Sequence, residues 1–297
     1  MSTTEYIQEL PRETRLAQFF RRALPHRGFL FGAGTLLVIV VLAIFAPVLT
    51  SHDPYTQDLF ARMKPPFWME GTDPSHLLGT DHLGRDYLAR LLYGARISLM
   101  IGLAAAVISG LIGTTLGVAA GYFGGRVDMV VSFLINVRLA MPVVLVALAV
   151  VALLGGSLNV VIGVLGLLLW DRFAVVMRSS VMQVRDLEYV NAAKAVGCST
   201  LRVLLSEIMP NVVNNLIVVL TLEMAHAILL EAALSFLGLG VQPPTPSWGL
   251  MISEGKNMLL FEPWLIAIPG VCLFVLVLAI NLMGDGLRDV TAPENRG

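Results

Sequence analysis

Polar side chains interrupt the apolar stretch at residues 212–237, and they are of types that could move a proton or bind a solute. At about 100° per residue, Asn215, Glu223 and His226 fall on one side of a helix, with Glu231 nearly opposite. Ionisable groups within a bilayer are costly and usually face an aqueous pathway or a bundle interior. We therefore predict that these residues line a translocation pathway. A structural role stays open, in which Glu231 forms hydrogen bonds within the bundle and His226 ties two helices together.

The sequence lacks the motifs of several enzyme classes. It contains no G-x-x-x-x-G-K-[ST] loop to hold nucleotide phosphates, no H-E-x-x-H and no G-x-S-x-G. The two cysteines, Cys198 and Cys272, and the five histidines show none of the spacings typical of a metal site. We therefore expect a chain that is not an enzyme, with no catalytic residue, no bound metal and no cofactor of its own.

The composition indicates a polytopic membrane protein. Of the 297 residues, 56% are hydrophobic and 14% are charged, and the mean hydropathy is +0.78. A soluble domain is about half apolar and about a quarter charged. A helix that spans a bilayer needs about 20 apolar residues, and six segments meet this length: residues 29–49, 97–123, 129–154, 160–177, 212–237 and 264–285. The predicted fold is therefore all-α with six transmembrane helices.

Lysine and arginine residues near the ends of these segments predict their orientation, because cytoplasmic loops carry an excess of both. With the N-terminus inside the cell, 13 of the 20 fall on the cytoplasmic side, Arg172 among them, six fall outside and Arg138 lies within a span. Both termini are therefore predicted to be cytoplasmic.

This orientation divides the chain into regions. They are a cytoplasmic N-terminal segment (1–28), a first transmembrane helix (29–49), an outer loop (50–96), a five-helix core (97–286) containing a cytoplasmic loop at about 178–210, and a cytoplasmic tail (287–297).

The outer loops are rich in proline and glycine. The longer one, residues 50–96, is expected to form turns and short helices that act as a cap or docking surface. The shorter one, residues 238–263, contains Q-P-P-T-P-S-W-G, whose prolines impose an extended backbone. It is either a rigid turn with Trp248 anchored at headgroup depth or a part of the substrate's route, and the sequence leaves both open.

Glycines recur at four-residue spacing in the second predicted span. Gly113, Gly117 and Gly121 would share one face of a helix. Small residues let helices approach closely where lipid supplies no hydrophobic drive for their association. We therefore expect this face to pack against another helix, which the sequence does not identify.

A polar segment, Y-V-N-A-A-K-A-V-G-C-S-T-L-R-V-L-L-S-E-I-M-P-N (residues 189–211), separates the fourth and fifth predicted spans. A short helix is expected to start at Asp186 or Asn191 and to end before Gly197, which suits a C′ position with left-handed backbone. A second short helix should follow, with Pro210 in the first turn of the fifth span. The small side chains of the first helix form a thin rod that could enter a groove on a cytoplasmic partner.

This spacing resembles the cytoplasmic signature E-A-A-x3-G-x9-I-x-L-P of permease subunits in binding-protein-dependent ABC importers. Asn191, Ala192 and Ala193 stand at the E-A-A positions, Gly197 follows at the required spacing and Pro210 closes the pattern. Asn191 replaces the usual glutamate. Four further stretches resemble the dipeptide/oligopeptide/nickel branch of these permeases: residues 76–99, 119–128, 234–252 and 281–290.

The resemblance implies a type I ABC importer permease fold in the bacterial inner membrane, with the loop 50–96 in the periplasm. The implied partners are a homologous second permease in a heterodimer, two cytoplasmic subunits that bind ATP and Mg²⁺, and a periplasmic substrate-binding protein. The implied mechanism is alternating access, driven through a coupling helix in the polar segment. The residues implied in coupling are Asn191, Ala192, Ala193, Lys194, Gly197 and Pro210.

The resemblance points to di- and oligopeptides as the substrate, with glutathione, nickel chelates and antimicrobial peptides as alternatives. A different class of function also stays open at this point. Glu223 and His226 could drive a proton-coupled secondary transporter, although the two halves of the sequence show no inverted repeat or paired broken helices. A membrane scaffold that transports nothing would leave the polar fifth span unexplained.

Overall fold

The computed structural model describes Arg21 and residues 23–291. The predicted cytoplasmic segment 1–28 and tail 287–297 therefore lie partly outside the described residues. Within the described part, all regular elements are helical and no strand is present, which confirms the predicted all-α class.

The helices follow one another with short connections, apart from one long loop after α2. In chain order they are α1 (Arg27–Ile44), α2 (Ala46–Leu49), α3 (Tyr87–Phe123), α4 (Gly125–Ala140), α5 (Val143–Leu154), α6 (Leu158–Leu168), α7 (Trp170–Val184), α8 (Glu188–Ala195), α9 (Thr200–Arg202), α10 (Met209–Phe236), α11 (Trp248–Gly255) and α12 (Trp264–Thr291). A π-helical segment, Val203–Ile208, joins α9 to α10, and single 3₁₀ turns occupy Leu59–Ala61 and Lys256–Met258.

Among the described residues, five helical stretches are long and apolar enough to cross a membrane: α1, α3, Leu158–Val184, Thr200–Phe236 and Trp264–Val290. The pair α4 and α5, bent by 84°, makes a sixth if it is counted as one span. The third predicted span, residues 129–154, is therefore broken rather than straight. Pro142 causes the break, because a residue before proline disfavours helical backbone and Met141 is extended.

The central packing brings α3 against α7, and α12 against both α1 and α10. Glycine makes the α1 contact close: a Cβ added at Gly32 would lie 2.6 Å from the Ala279 carbonyl oxygen. An apolar cluster that includes Tyr87, Trp248 and Trp264 fills the space beneath the long loop. These contacts hold the first span against the rest of the bundle.

Trp248 is a core residue. Its side chain is 3% exposed, and its indole N–H donates a hydrogen bond to the Leu91 carbonyl at 2.8 Å. Trp248 is therefore not exposed to lipid headgroups as an anchor, because the start of α11 folds inward against α3 and α12.

The long loop is built of turns and one 3₁₀ turn, and α3 begins before the apolar stretch, at Tyr87. The Asp86 carboxylate caps this helix by accepting the Ala89 N–H at 2.7 Å, an arrangement that stabilises a helix start. A buried ionic network then joins the helix start to α11, since Arg85 and Arg90 both donate to Glu254, at 3.0 and 2.7 Å.

Candidate functional site

The polar segment begins within α8, a two-turn helix that is anchored on one side only. Val190 is fully buried in an apolar cluster with Met177, Val181 and Ile208. The opposite side is exposed, and it consists mainly of small or short side chains: Asn191, Ala192, Ala195 and Val196. An exposed apolar surface bounded by polar residues is typical of a docking site.

The end of α8 has the geometry of a Schellman motif. Gly197 has φ +86°, its N–H donates to the Lys194 carbonyl at 3.0 Å, and the Cys198 N–H donates to the Ala193 carbonyl at 3.1 Å. This is the C′ role predicted from the sequence. Nothing lies within 4 Å of a Cβ added at Gly197, so backbone conformation, and not space, requires glycine here.

The start of α8 differs from the prediction. Its N-cap is Leu187, which supplies no side-chain hydrogen bond. The Asp186 carboxylate pairs instead with Arg185 at 3.2 Å, and the Asn191 amide donates to the Asp186 carbonyl at 3.0 Å. Neither predicted cap is therefore available to the first turn.

The predicted second short helix does not stand alone. It runs from Thr200 through the π-helical segment Val203–Ile208 directly into α10, with Pro210 in the first turn of α10. Proline has no N–H to donate to the carbonyl one turn earlier, but it is tolerated in the first turn of a helix. The side-chain amide of the next residue, Asn211, donates to the Glu207 carbonyl at 2.6 Å. The polar segment is thus continuous with the fifth span.

Basic side chains fasten the polar segment to the bundle. Arg185 donates to the Gly121 carbonyl at 2.7 Å, and Lys194 reaches the Arg185 carbonyl at 3.0 Å. Arg178 makes two hydrogen bonds with the Asp128 carboxylate of α4, one of them at 2.8 Å. Lys194 thus joins α8 to the end of α7, which Arg185 and Arg178 join in turn to α3 and α4.

The three glycines of the second span face α7. A Cβ at Gly113 would lie 2.2 Å from the Trp170 carbonyl oxygen, one at Gly117 2.5 Å from the Ala174 carbonyl oxygen, and one at Gly121 2.7 Å from the Arg178 carbonyl oxygen. Only glycine allows this approach of two helix backbones. The second span is therefore packed closely against α7, the helix that leads to the polar segment.

Glu223 lies close to both His226 and Arg172, and Arg172 is a residue that the sequence did not predict in this cluster. Glu223 is 1% exposed, and it accepts from Arg172 at 2.9 Å and lies 3.3 Å from His226 Nδ1. Arg172 was assigned to the cytoplasmic charges, yet it lies within the helical span Leu158–Val184. Its position inside an apolar stretch was the signal for an internal role. Arg172 and Glu223 line a cavity of about 310 Å³ whose other walls are mostly apolar.

The two other predicted pathway residues lie apart from this cluster. The Asn215 amide donates to Ser180 Oγ at 2.8 Å and so joins α10 to α7. Glu231 is fully buried and accepts from Ser235 at 2.7 Å and from Ser247 at 2.9 Å. Ser247 is the N-cap of α11. Glu231 thus has the hydrogen bonds within the bundle that the structural alternative proposed, and it holds the shorter outer loop.

Residues 113–296, more than half of the chain, match the family model described as "Binding-protein-dependent transport system inner membrane component". The chain belongs to this family. This permease is accordingly a multi-pass inner-membrane protein, and the matched residues include the whole polar segment. Residues 14–66 also match a model described as the N-terminal TM domain of oligopeptide transport permease C.

Named relatives cover nearly the whole permease. It is 42% identical over 280 residues to the di/tripeptide transport system permease protein DppC of Pseudomonas aeruginosa, which covers 94% of this chain and 92% of that one. The dipeptide permease DppC of Haemophilus influenzae is 39% identical, covering 95% and 96%. The glutathione transport system permease GsiD of Pectobacterium atrosepticum is 34% identical, covering 99% and 96%.

A solved structure shares the fold of the permease. The inward-facing MetNI methionine ABC transporter matches with a TM-score of 0.57 and 17% identity, over 68% of this chain and 96% of that chain. The permease therefore has the type I ABC importer fold predicted from its signature residues. As a component of a binding-protein-dependent transport system, it is a translocation subunit.

Proposed function

We propose that this permease translocates di- or oligopeptides across the inner membrane by alternating access, with ATP and Mg²⁺ bound by separate cytoplasmic subunits. The relatives support the substrate class by their names: two are di- or tripeptide permeases, and one carries glutathione, itself a tripeptide. Nickel chelates and antimicrobial peptides stay as alternative substrates. A homologous second permease and a periplasmic binding protein complete the proposed assembly.

The observation that carries this proposal is the polar segment, where α8 exposes small side chains and is fastened to three bundle helices. In the proposed orientation, with the N-terminus inside, this helix enters a groove on a partner ATPase. Ala192 and Ala193 give it a thin profile and Gly197 sets the chain's exit. Closure of the ATPases would move α8, and the Arg185 and Lys194 contacts would pass that movement to the spans.

We propose that Arg172, Glu223 and His226, together the Arg172 cluster, form part of the translocation pathway. The Arg172 side chain is 58% exposed on this single chain, and a charge that faced lipid within a membrane span would be costly. We therefore place this face against the second permease and the aqueous pathway between them. There Arg172 could meet a substrate carboxylate, while Glu223 and His226 hold it in position.

Reconstituted transport tests the proposal. The permease would be assembled in liposomes with its partner permease, ATPases and binding protein, and uptake of labelled dipeptide, tripeptide, glutathione and nickel would be compared. We expect peptide uptake that requires internal ATP. Uptake driven by a proton gradient without ATP would contradict the proposal and support the secondary transporter instead. Accumulation of nickel alone would overturn the peptide assignment.

A further inference from the structure

Three side chains able to bind metal converge in the long outer loop, far from the polar segment and the Arg172 cluster. His76 Nδ1 lies 2.8 Å from Asp86 Oδ2, and His52 Nδ1 lies 3.8 Å from the same oxygen. One potential ligand atom from each of the three residues lies within 4.8 Å of the other two, and the two imidazole centroids are 4.7 Å apart. The residues are separated by many positions in the sequence, so no spacing motif reveals them.

Local hydrogen bonds fix the backbone at each of these residues. The His52 N–H donates to Thr50 Oγ1 at 3.2 Å, and the His76 N–H donates to the Asp73 carbonyl at 2.9 Å. Asp86 uses Oδ1 for the helix cap, which leaves Oδ2 to face both imidazoles. The three groups are therefore preorganised, and binding a ligand between them would require little further ordering.

A hydrogen bond between His76 and Asp86 explains only part of this arrangement. It accounts for the distance of 2.8 Å between His76 Nδ1 and Asp86 Oδ2. His52 Nδ1, at 3.8 Å, is beyond hydrogen-bonding distance of the same oxygen. Tetrahedral zinc with bonds of about 2.0–2.2 Å places its ligand atoms about 3.3–3.6 Å apart. The two observed separations lie on either side of this interval, so small side-chain rotations would bring both imidazoles into range.

We propose that His52, His76 and Asp86 bind a divalent transition-metal ion, with Zn²⁺ the best fit, and that water completes its coordination. Two imidazoles and one carboxylate suit zinc or nickel, whereas magnesium and calcium prefer oxygen ligands alone. The Asp86 side chain is 4% exposed and that of His52 is 37% exposed, so the site is closed on the α3 side and open to solvent beside His52.

The position of the site defines what the metal would do. His52 follows α2 at the end of the first span, and Asp86 caps α3 at the start of the second. A bound ion would join these two ends directly. The pair of Arg85 and Glu254, at 3.0 Å, already joins the start of α3 to α11. The metal site therefore stabilises the outer face of the permease, independently of which solute it transports.

Zinc binding to the full-length permease in lipid nanodiscs tests this inference. The sample would be stripped with a chelator, titrated with Zn²⁺ alone by calorimetry, and compared with Ni²⁺. We expect about one equivalent of Zn²⁺ to bind and to raise the melting temperature. His52→Ala should weaken binding at least tenfold and remove the thermal shift, as should Asp86→Asn, which retains an oxygen for the helix cap.

His82 offers a matched control, because it lies in the same loop but outside the cluster. His82→Ala should bind zinc as the wild type does. The proposal is overturned if the wild type binds no stoichiometric zinc, or if His52→Ala binds it with unchanged affinity. A loss of binding in His82→Ala equal to that in His52→Ala would also overturn it, since the zinc would then not be held by the three named residues.

Discussion

Arg172 Nη1 lies 2.9 Å from Glu223 Oε1, and the two partners differ sharply in exposure, at 58% for the arginine and 1% for the glutamate. The pair joins α7 to α10, with the arginine on the surface of the chain and the glutamate beneath it. Because only the carboxylate is buried, removing one partner does not have the same consequence as removing the other.

We predict that Arg172→Gln destabilises the permease more than Glu223→Gln. The first change leaves a buried carboxylate with only His226 beside it, a loss of about 1–3 kcal/mol, whereas the second leaves an arginine that reaches solvent and costs less than about 1 kcal/mol. Thermal unfolding of the assembled transporter measures both. The double variant should be less destabilised than the sum of the two, and equal losses from the single changes would contradict the asymmetry.

Variants at the same two residues test the proposed pathway. If Arg172 meets a substrate carboxylate, Arg172→Lys should keep the charge but lose the paired geometry, and peptide uptake should fall several-fold while the transporter stays assembled. Ser180→Ala serves as the control, because it removes the uncharged hydrogen bond from Asn215 that joins the same two helices. Wild-type uptake by both Arg172→Lys and Glu223→Gln would remove the cluster from the pathway.

A glycine substitution should separate α3 from α7. Gly117→Ala places a Cβ 2.5 Å from the Ala174 carbonyl oxygen, and overpacking of this kind costs about 1–3 kcal/mol. Gly163→Ala is the matched control, since nothing lies within 4 Å of its added Cβ and alanine favours helix by up to about 1 kcal/mol. Melting temperatures should therefore shift in opposite directions. A Gly117→Ala protein as stable as the wild type would mean that the helices can move apart freely.

The features that depend on local sequence were the ones that could be predicted. The length of the apolar stretches predicted the membrane spans. The ability of glycine to adopt a positive φ predicted the end of α8 at Gly197. The break before Pro142 was missed, although proline restricts the residue before it. The pairing of Arg172 with Glu223 could not be predicted from local sequence, since it depends on how α7 lies against α10. The same holds for His52 and Asp86, which only the folded loop brings together.

Cysteine labelling would locate the polar segment. In a background lacking Cys198 and Cys272, Ala195→Cys should react with a membrane-impermeant maleimide only from the cytoplasmic side, because Ala195 is exposed on α8. Adding the ATPase subunits should slow that reaction at least tenfold if α8 enters a groove. Phe60→Cys is the control for the outer side, since Phe60 is 99% exposed in the long loop. Labelling of both cysteines from one side would contradict the predicted orientation.

Two glycines that end helices, one in the polar segment and one in the shorter outer loop, provide a matched pair for testing the coupling proposal. Gly197 and Gly238 close α8 and α10 in the same way, with φ +86° and +83°, hydrogen bonds of one pattern and nothing within 4 Å of an added Cβ. A β-branched residue is strained equally at both, since its Cβ disfavours left-handed backbone. Gly197→Val should abolish substrate-stimulated ATPase activity, because it redirects the chain leaving α8, while Gly238→Val should retain most of it. Similar melting temperatures would show that strain alone is not the cause. Full stimulation in Gly197→Val would contradict the coupling role of the polar segment, whatever the result at Gly238.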